Sequence, residues 1–276
     1  MRLPRIVEME IRQRAYDAFC LCKPLEKVRA VRALWSDAPH VDCDTARDFV
    51  SPSEPGRPDK PDLVGPKDVP KRSAYTPQGH AALVHSIAHI EFNAINLALD
   101  AVWRFANLPQ AYYRDWLGVA HEEAQHFSLL QEHLQQCGYR YGDFVAHDGL
   151  WTVCADTQHD VLARMALIPR TMEARGLDAT PMVQTKLRKV GTPQALQAVE
   201  ILELILNEEV GHVAIGNHWY HWLCEQNGVD ATTFYKDATL RYRAPTPKPP
   251  FNIPARLQAG FTPEEIAELP RHLPHP

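Results

Sequence analysis

Apolar residues in the middle of the chain recur every three or four positions, the spacing that places them on one face of an α-helix. Four long stretches follow this pattern, at residues 77–106, 110–137, 157–190 and 193–227. Strand-like alternation of apolar and polar residues does not occur in the sequence, and no repeat of solenoid length is found. The pattern predicts an all-α fold in which the four long helices form a bundle.

Prolines and threonines indicate where these helices begin and where one of them breaks. A threonine caps the free N–H groups of a helix start, and a proline fits the first helical position because it has no N–H to leave unpaired. The third predicted helix should be interrupted at Pro169 and again over residues 176–181, because proline removes a bond from the helical ladder. About nineteen residues connect the second predicted helix to the third, which is long enough for a crossover along the bundle. The pairs that predict helix starts are Thr76-Pro77, Thr180-Pro181, Thr192-Pro193 and Thr262-Pro263.

The segments on both sides of the bundle have a different character. Residues 5–35 have helical spacing and predict two short helices. Residues 36–75 hold too many prolines for a helix or a central strand. A disordered linker is one interpretation, but Leu63 and Val64 could pin the segment to a folded surface, so we favour an extended arm across the bundle. Prolines also predict an extended strap at residues 244–256, lying over the bundle near the break in the third helix. The predicted parts are residues 1–75 with the N-terminal helices and the arm, residues 76–228 with the four-helix bundle, and residues 229–276 with the strap and a short helix at 262–268.

Composition limits the classes of protein to which the chain can belong. Hydrophobic residues make up 45% and charged residues 23%, which is ordinary for a soluble globular protein. The net charge of −5 and the lack of a Lys/Arg stripe argue against DNA as a partner. No run of about 18 apolar residues predicts a membrane span, and the N-terminus lacks the apolar core of a signal peptide. The six cysteines form no CxxC pair, so we expect reduced, mostly buried thiols in a cytoplasmic protein.

Each long predicted helix places one glutamate in its apolar seam, and the second and fourth add a histidine three residues later. Four buried carboxylates in one core would repel each other unless cations neutralise them, and two divalent ions supply the matching charge. One Glu from each of two helices and Glu-x-x-His from the other two is the pattern of di-iron and di-manganese bundles. We therefore predict two iron ions, with manganese as an alternative at one or both positions. The predicted ligands are Glu91, Glu123, His126, Glu173, Glu209 and His212.

Several neighbours of these ligands also invite interpretation. A further glutamate precedes each Glu-x-x-His, at Glu122 and Glu208. His85 and His89 could form a His-rich zinc site with Glu91, but a hydrogen bond from one of them to a ligating carboxylate fits better. Arg170 and Arg175 could pair with Asp178 or guard the opening of the site. The remaining expectations are surface positions for Asp100 and Glu203, and outer faces or helix ends for His121, His133, His218 and His221.

Six stretches of the sequence resemble the DUF455 family of ferritin-like proteins, and together they span nearly the whole chain. The resemblance implies a ferritin-like bundle with a di-iron centre and no settled reaction. It carries the metal ligands over to the six positions given above. The chain is more distantly similar to the ferritin-like tRNA hydroxylase family, which modifies a hypermodified adenosine using oxygen. The six stretches are GRPDKPDLVGPKDVPKRS, HSIAHIEFNAINLALDAVWRF, HEEAQHFSLL, PRTMEARGLDATP, NEEVGHVAIG and KPPFNIPARLQAGF.

Three functions are compatible with such a chain. The first is an oxygen-dependent di-iron oxidoreductase or hydroxylase with Glu91, Glu123, Glu173 and Glu209 as catalytic residues. Its partners would be O2, an unknown small-molecule or nucleoside-type substrate and an unknown electron donor. The second is ferritin-type iron storage, against which the arm and the C-terminal extension argue, because a cage needs compact protomers. The third is a non-catalytic scaffold, against which the complete ligand set argues. We expect a monomer or a dimer.

Overall fold

The computed structural model describes residues 10–49 and 54–270 and is an all-α fold, with 69% helix. Within these ranges no β-strand occurs, and an isolated bridge pairs Leu63 with Ala146. The predicted all-α bundle fold is therefore confirmed. None of the helices in the described part of the chain combines the length and the apolar character that a membrane crossing requires.

The long helices lie close to their predicted positions. We name the helices in chain order, and the predicted first, second and fourth long helices correspond to α3, α4 and α8, with ends within two residues of prediction. Two short helices precede them as predicted, although residues 5–9 of that prediction lie outside the described residues. The helices are α1 (Ile11–Cys20), α2 (Pro24–Asp37), α3 (Pro77–Arg104), α4 (Gln110–Gln136), α5 (Gly149–Asp156), α6 (Val161–Leu167), α7 (Ala174–Val190), α8 (Pro193–Asn227), α9 (Ala231–Arg241), α10 (Ile253–Gln258) and α11 (Pro263–Ala267).

Three of the four predicted Thr-Pro helix starts are confirmed. The Thr76, Thr192 and Thr262 side chains accept bonds from backbone N–H groups three residues later. The start predicted at Thr180 and the break predicted over residues 176–181 are both wrong, because α7 continues from Ala174 to Val190 with Pro181 inside it. A proline there leaves the carbonyl of Leu177 without its helical donor, and the Asn252 side chain supplies one instead at 3.2 Å. A contact with a distant part of the chain thus preserves the helix.

The predicted break at Pro169 is confirmed as a π-helical segment, Ile168–Glu173, between α6 and α7. A π turn takes in an extra residue and changes the direction of the side chains that follow it. The ring of Pro169 packs on Gly216 of α8, where an added Cβ would lie 2.2 Å from the proline Cβ. Close approach of this segment to α8 therefore requires a glycine.

The chain divides into two compact units, of which the first comprises the described residues of 1–59 together with 91–125. Here α1 packs on α2, and the buried ammonium group of Lys27 ties several segments together. Lys27 Nζ donates to the carbonyls of Phe19 and Gly56, both at 3.0 Å, and to the side chain of Asn96. The part of the predicted arm around Gly56 is thus fixed to α1 and α2.

The second unit comprises residues 60–90 and the described residues from 126 onwards. In it the rest of the predicted arm pairs with the segment between α4 and α5. The Val64 N–H donates to the Ala146 carbonyl at 2.8 Å, and the Ala146 N–H donates to the Asp62 carbonyl at 3.0 Å. The arm is thus anchored at Leu63 and Val64 as predicted, but by backbone hydrogen bonds. Burial of the Leu63 side chain does not contribute much, because Leu63 is 43% exposed.

The C-terminal segment packs against α7, as predicted for the strap. Arg256 of α10 forms a forked pair with Asp178, through Nε at 3.0 Å and a terminal nitrogen at 2.6 Å. The prediction that Arg170 or Arg175 pairs with Asp178 is therefore wrong, and Arg170 instead pairs with Glu265 of α11. The fork of a guanidinium matches both carboxylate oxygens, which explains why a buried charge is tolerated here. Helix α9 was not predicted, and α10 replaces part of the predicted extended strap.

Some predictions of burial were also wrong. Asp100 is fully buried rather than exposed, because its carboxylate pairs with Arg104 one turn later at 2.6 Å. His133 is buried rather than on an outer face. The cysteines are free as expected, but only Cys154 and Cys224 are buried. The predicted division into three parts stays a prediction.

Candidate metal centre

Helices α3 and α4 each carry a glutamate into the protein interior. Glu91 is 5% exposed and Glu123 is fully buried. On α3 every residue from 91 to 103 is buried, so the carboxylate of Glu91 enters the core with a mainly apolar stretch. An ionised carboxylate in such surroundings costs several kcal/mol unless a positive charge or strong hydrogen bonds compensate it.

Helices α4 and α8 bring two histidines together. His126 and His212 are buried, with ring centroids 5.7 Å apart. The i, i+3 spacing places each histidine on the same face as the glutamate before it, and Glu209 Oε1 lies 3.5 Å from His212 Nδ1. The side chains of the two Glu-x-x-His motifs therefore lie on the inward faces of α4 and α8, as the apolar spacing predicts.

Four of the six predicted ligands form one group, which we call the carboxylate cluster: Glu91, Glu123, His126 and Glu209. Each offers one ligand atom, and these atoms all lie within 4.8 Å of one another. His212 is not in this group but contacts it through Glu209. Glu173 is half-buried at the end of the π-helical segment and is also outside the group. The assignment of all six as metal ligands stays a prediction.

The residues of the carboxylate cluster fit a divalent cation. Two ionised carboxylates no more than 4.8 Å apart would repel each other by at least about 3 kcal/mol at the effective dielectric constant of about 20 that suits protein sites. Three such groups share this space with one imidazole, so a cation would remove a large unfavourable energy. Oxygen and imidazole ligands without a thiolate suit iron or manganese.

Glu208 is a functional candidate that the spacing argument did not include among the ligands. Its Oε2 lies 2.6 Å from Nε2 of His126. A carboxylate in this position accepts the Nε2 proton and leaves the Nδ1 lone pair as the ligand atom of His126. The sequence signal for this role was the glutamate doublet at 208 and 209, of which only the second member lies in the seam.

The two histidines on α3 before Glu91 contact the segment that follows α4. His89 Nδ1 is 2.8 Å from the hydroxyl of Tyr141, and His85 Nε2 accepts the Gly142 N–H at 2.9 Å. Burial lowers the pKa of His85 to about 4, so its ring is neutral and can accept this bond. His85 therefore fixes a loop, and the predicted bond to a ligating carboxylate stays a prediction for His89 alone.

Comparison with known proteins identifies relatives but no activity. A family described as "Protein of unknown function (DUF455)" matches residues 20–267. A protein of Haemophilus influenzae described as "Uncharacterized protein" is 48% identical over 266 residues, covering 92% of this chain and 91% of that protein. No solved structure matches the chain.

Proposed function

We propose that this chain, which belongs to the DUF455 family, is a ferritin-like di-iron protein that catalyses an oxygen-dependent oxidation or hydroxylation. The observation that carries the proposal is the carboxylate cluster, in which three glutamates and a histidine offer ligand atoms within 4.8 Å of one another. Glutamates from several helices combined with Glu-x-x-His motifs are the ligand pattern of di-iron and di-manganese carboxylate bundles. The interior position of these groups supports a catalytic centre rather than a surface cation site.

The ligands of two ions would be the four residues of the carboxylate cluster together with His212 and Glu173. His212 lies beside Glu209. Glu173 belongs to the π-helical segment, and π turns within helices are frequently found at functional sites. When bound, iron supplies the redox chemistry with O2 that no amino-acid side chain provides, and manganese is an alternative at either position. Glu91, Glu123, Glu173 and Glu209 are the proposed catalytic residues.

The side chains of the protein would bind the cations, orient the ligands and keep water away from the centre. Buried apolar residues around Glu91 and Glu123 exclude water from the carboxylates, which strengthens their interaction with a cation. Glu208 holds the proton of His126 at Nε2, which keeps the ring in one tautomer and one orientation. The protein thus supplies a fixed set of ligands in a dry interior.

The resemblance to ferritin-like oxygen-dependent enzymes suggests which partners the reaction would have. They comprise O2, a small-molecule or nucleoside-type substrate and an electron donor that returns the centre to its reduced form. The free cysteines favour a reducing compartment, and we place the reaction in the cytoplasm.

Anaerobic titration of the metal-free protein with Fe(II), followed by exposure to O2, tests the proposal. We expect about two irons per chain and oxygen consumption that depends on bound iron. Glu123→Ala should lose iron binding, whereas Glu200→Ala, which removes an exposed glutamate of α8, should keep it. Iron binding at less than one per chain, or equal binding in both variants, would contradict the proposal.

The mass of the protein in solution separates catalysis from iron storage. A monomer or dimer that consumes O2 with each turnover of a substrate supports the oxidoreductase. A cage of many subunits that accumulates oxidised iron would instead indicate a ferritin-type function. Stoichiometric iron without any oxygen reactivity would indicate a scaffold.

A further inference from the structure

A second group of ligand-type side chains joins the start of α3 to the end of α4, and all of it belongs to the second compact unit. It consists of His80, His133 and Cys137, and we call it the histidine–cysteine cluster. His80 Nε2 lies 3.0 Å from His133 Nε2, and Cys137 Sγ lies 3.7 Å from the same His133 nitrogen. All three ligand atoms lie within 4.8 Å of one another.

The backbone holds these three side chains in place. His133 and Cys137 are four residues apart, and the Cys137 N–H donates to the His133 carbonyl at 3.1 Å, so both side chains occupy one helical face. Directly before α3 the Thr76 hydroxyl accepts the Gly79 N–H at 3.1 Å, and the Thr76 carbonyl accepts the His80 N–H at 2.8 Å. The convergence of the three groups therefore rests on capped and hydrogen-bonded helix ends.

Two of the three distances in the histidine–cysteine cluster lie close to those that a tetrahedral ion needs. With bonds of about 2.0 Å to nitrogen and about 2.3 Å to sulfur, the ligand atoms of such an ion stand about 3.3 Å apart for two nitrogens and about 3.5 Å apart for nitrogen and sulfur. The observed 3.0 and 3.7 Å differ from these values by a few tenths of an ångström. The two imidazole planes meet at 78°, so the rings meet edge-on at their Nε2 atoms rather than stacking.

We propose that His80, His133 and Cys137 bind a Zn²⁺ ion, with a solvent molecule as the fourth ligand. A thiolate with two imidazoles is a donor set for Zn²⁺, unlike the oxygen-rich carboxylate cluster. The half-exposed position of Cys137 leaves one side of the site accessible to solvent, whereas both histidines are buried. The ion would cross-link the first turn of α3 to the end of α4. This second site does not depend on the proposed function.

Another arrangement accounts for the same distances. Two neutral imidazoles at 3.0 Å form an ordinary hydrogen bond, and the Cys137 thiol then only packs beside them. The two cases differ in one measurable property, because a thiolate bonds to the ion only in the first. A metal probe that reports sulfur ligation therefore decides between them.

Cobalt(II) is such a probe, and the experiment uses the full-length, reduced protein after removal of metals. Glu123→Ala provides the background, so that cation binding at the carboxylate cluster is weakened. We expect Co²⁺ to produce a near-ultraviolet thiolate-to-cobalt charge-transfer band with tetrahedral visible absorption, at one ion per chain. Zn²⁺ should abolish both signals by displacement and should raise the thermal unfolding midpoint.

Matched cysteine variants make the result specific. Cys137→Ser should remove the charge-transfer band and weaken Co²⁺ binding by at least about tenfold, whereas Cys43→Ser, which changes another half-buried cysteine, should change neither. His80→Gln provides a second variant should Cys137→Ser fold poorly, as judged by circular dichroism. Absence of the band in the parent protein, its persistence in a folded Cys137→Ser variant, or its persistence in His80→Gln where Cys137→Ser does not fold, would overturn the proposal.

Discussion

Glu208 stands outside the carboxylate cluster, yet its Oε2 lies 2.6 Å from the Nε2 atom of a proposed ligand, His126. A histidine ligand has two nitrogens, and the partner of one decides which lone pair the other presents. The Glu208 side chain is 32% exposed, yet its oxygen reaches a fully buried ring. A partly exposed residue thus fixes the tautomer of an interior one.

Removing this carboxylate should weaken metal binding without unfolding the protein. We expect Glu208→Ala to lower the affinity for Fe²⁺ or Mn²⁺ by about 10- to 100-fold, the usual effect of losing a hydrogen-bond partner of a histidine ligand. Glu208→Gln, which keeps an acceptor but loses the charge, should fall between. Equilibrium metal titration measures the change, and Glu200→Ala serves as the control on the same helix. An Ala variant with unchanged affinity would exclude this role.

At the scale of helices, local signals predicted the structure where the decisive interactions are local. The start of α8 was predicted from the threonine cap at Thr192, which precedes the helix directly in sequence. Pro181 led to a wrong prediction because the Leu177 carbonyl, which lacks a helical donor, accepts a bond from the side chain of Asn252 instead. Asn252 lies 75 residues from Leu177, so the local sequence gives no sign of this bond. The grouping of Glu91, Glu123, His126 and Glu209 could be predicted for the same reason. Spacing within a helix determines which side chains share its apolar face.

The contact between α8 and the π-helical segment depends on one hydrogen atom in place of a methyl group. An alanine at Gly216 would put its Cβ 2.2 Å from the Pro169 Cβ, so helix or ring must move. We expect Gly216→Ala to lower the free energy of unfolding by about 1–3 kcal/mol, the usual cost of overpacking. Gly176→Ala in α7, where nothing lies within 4 Å of the new Cβ, should instead raise it by up to about 1 kcal/mol.

Urea denaturation of the two glycine variants measures both effects under the same conditions. Because each change adds one methyl group to a helix, intrinsic helix propensity alone would stabilise both proteins equally. Opposite signs therefore demonstrate the close approach of the π-helical segment to α8. Equal stability of the two variants would show that this segment is loosely packed.

At the scale of the whole molecule, the contacts that the sequence could not predict are those between residues far apart in the chain. His80 and His133 are separated by 53 positions, so no spacing rule relates them. The same applies to His85, whose ring bonds to the backbone of Gly142, 57 positions away. A histidine on a helix gives no sign in its own segment of whether it is exposed or holds a loop, which is why burial of these rings required the structure.

These buried histidines predict how the stability of the whole protein depends on pH. Burial lowers the pKa of His85 to about 4, below the value of 6.5 expected in an unfolded chain. Between these two values the unfolded chain binds a proton that the folded protein excludes. The stabilising contribution is therefore complete above pH 6.5 and is lost as the pH falls towards 4. Burial also lowers the pKa of His80 and of His133, so their contributions have the same sign.

Comparison with His85→Gln isolates the part that belongs to His85, because a glutamine oxygen can accept the Gly142 N–H but does not titrate. We expect the wild-type protein to lose about 2 kcal/mol more than the variant in free energy of unfolding between pH 7.5 and pH 5. Denaturation curves at a series of pH values measure this difference. Parallel pH dependence of the two proteins would mean that the His85 ring takes up a proton in the folded state as readily as in the unfolded chain, and that the loop after α4 opens to admit it.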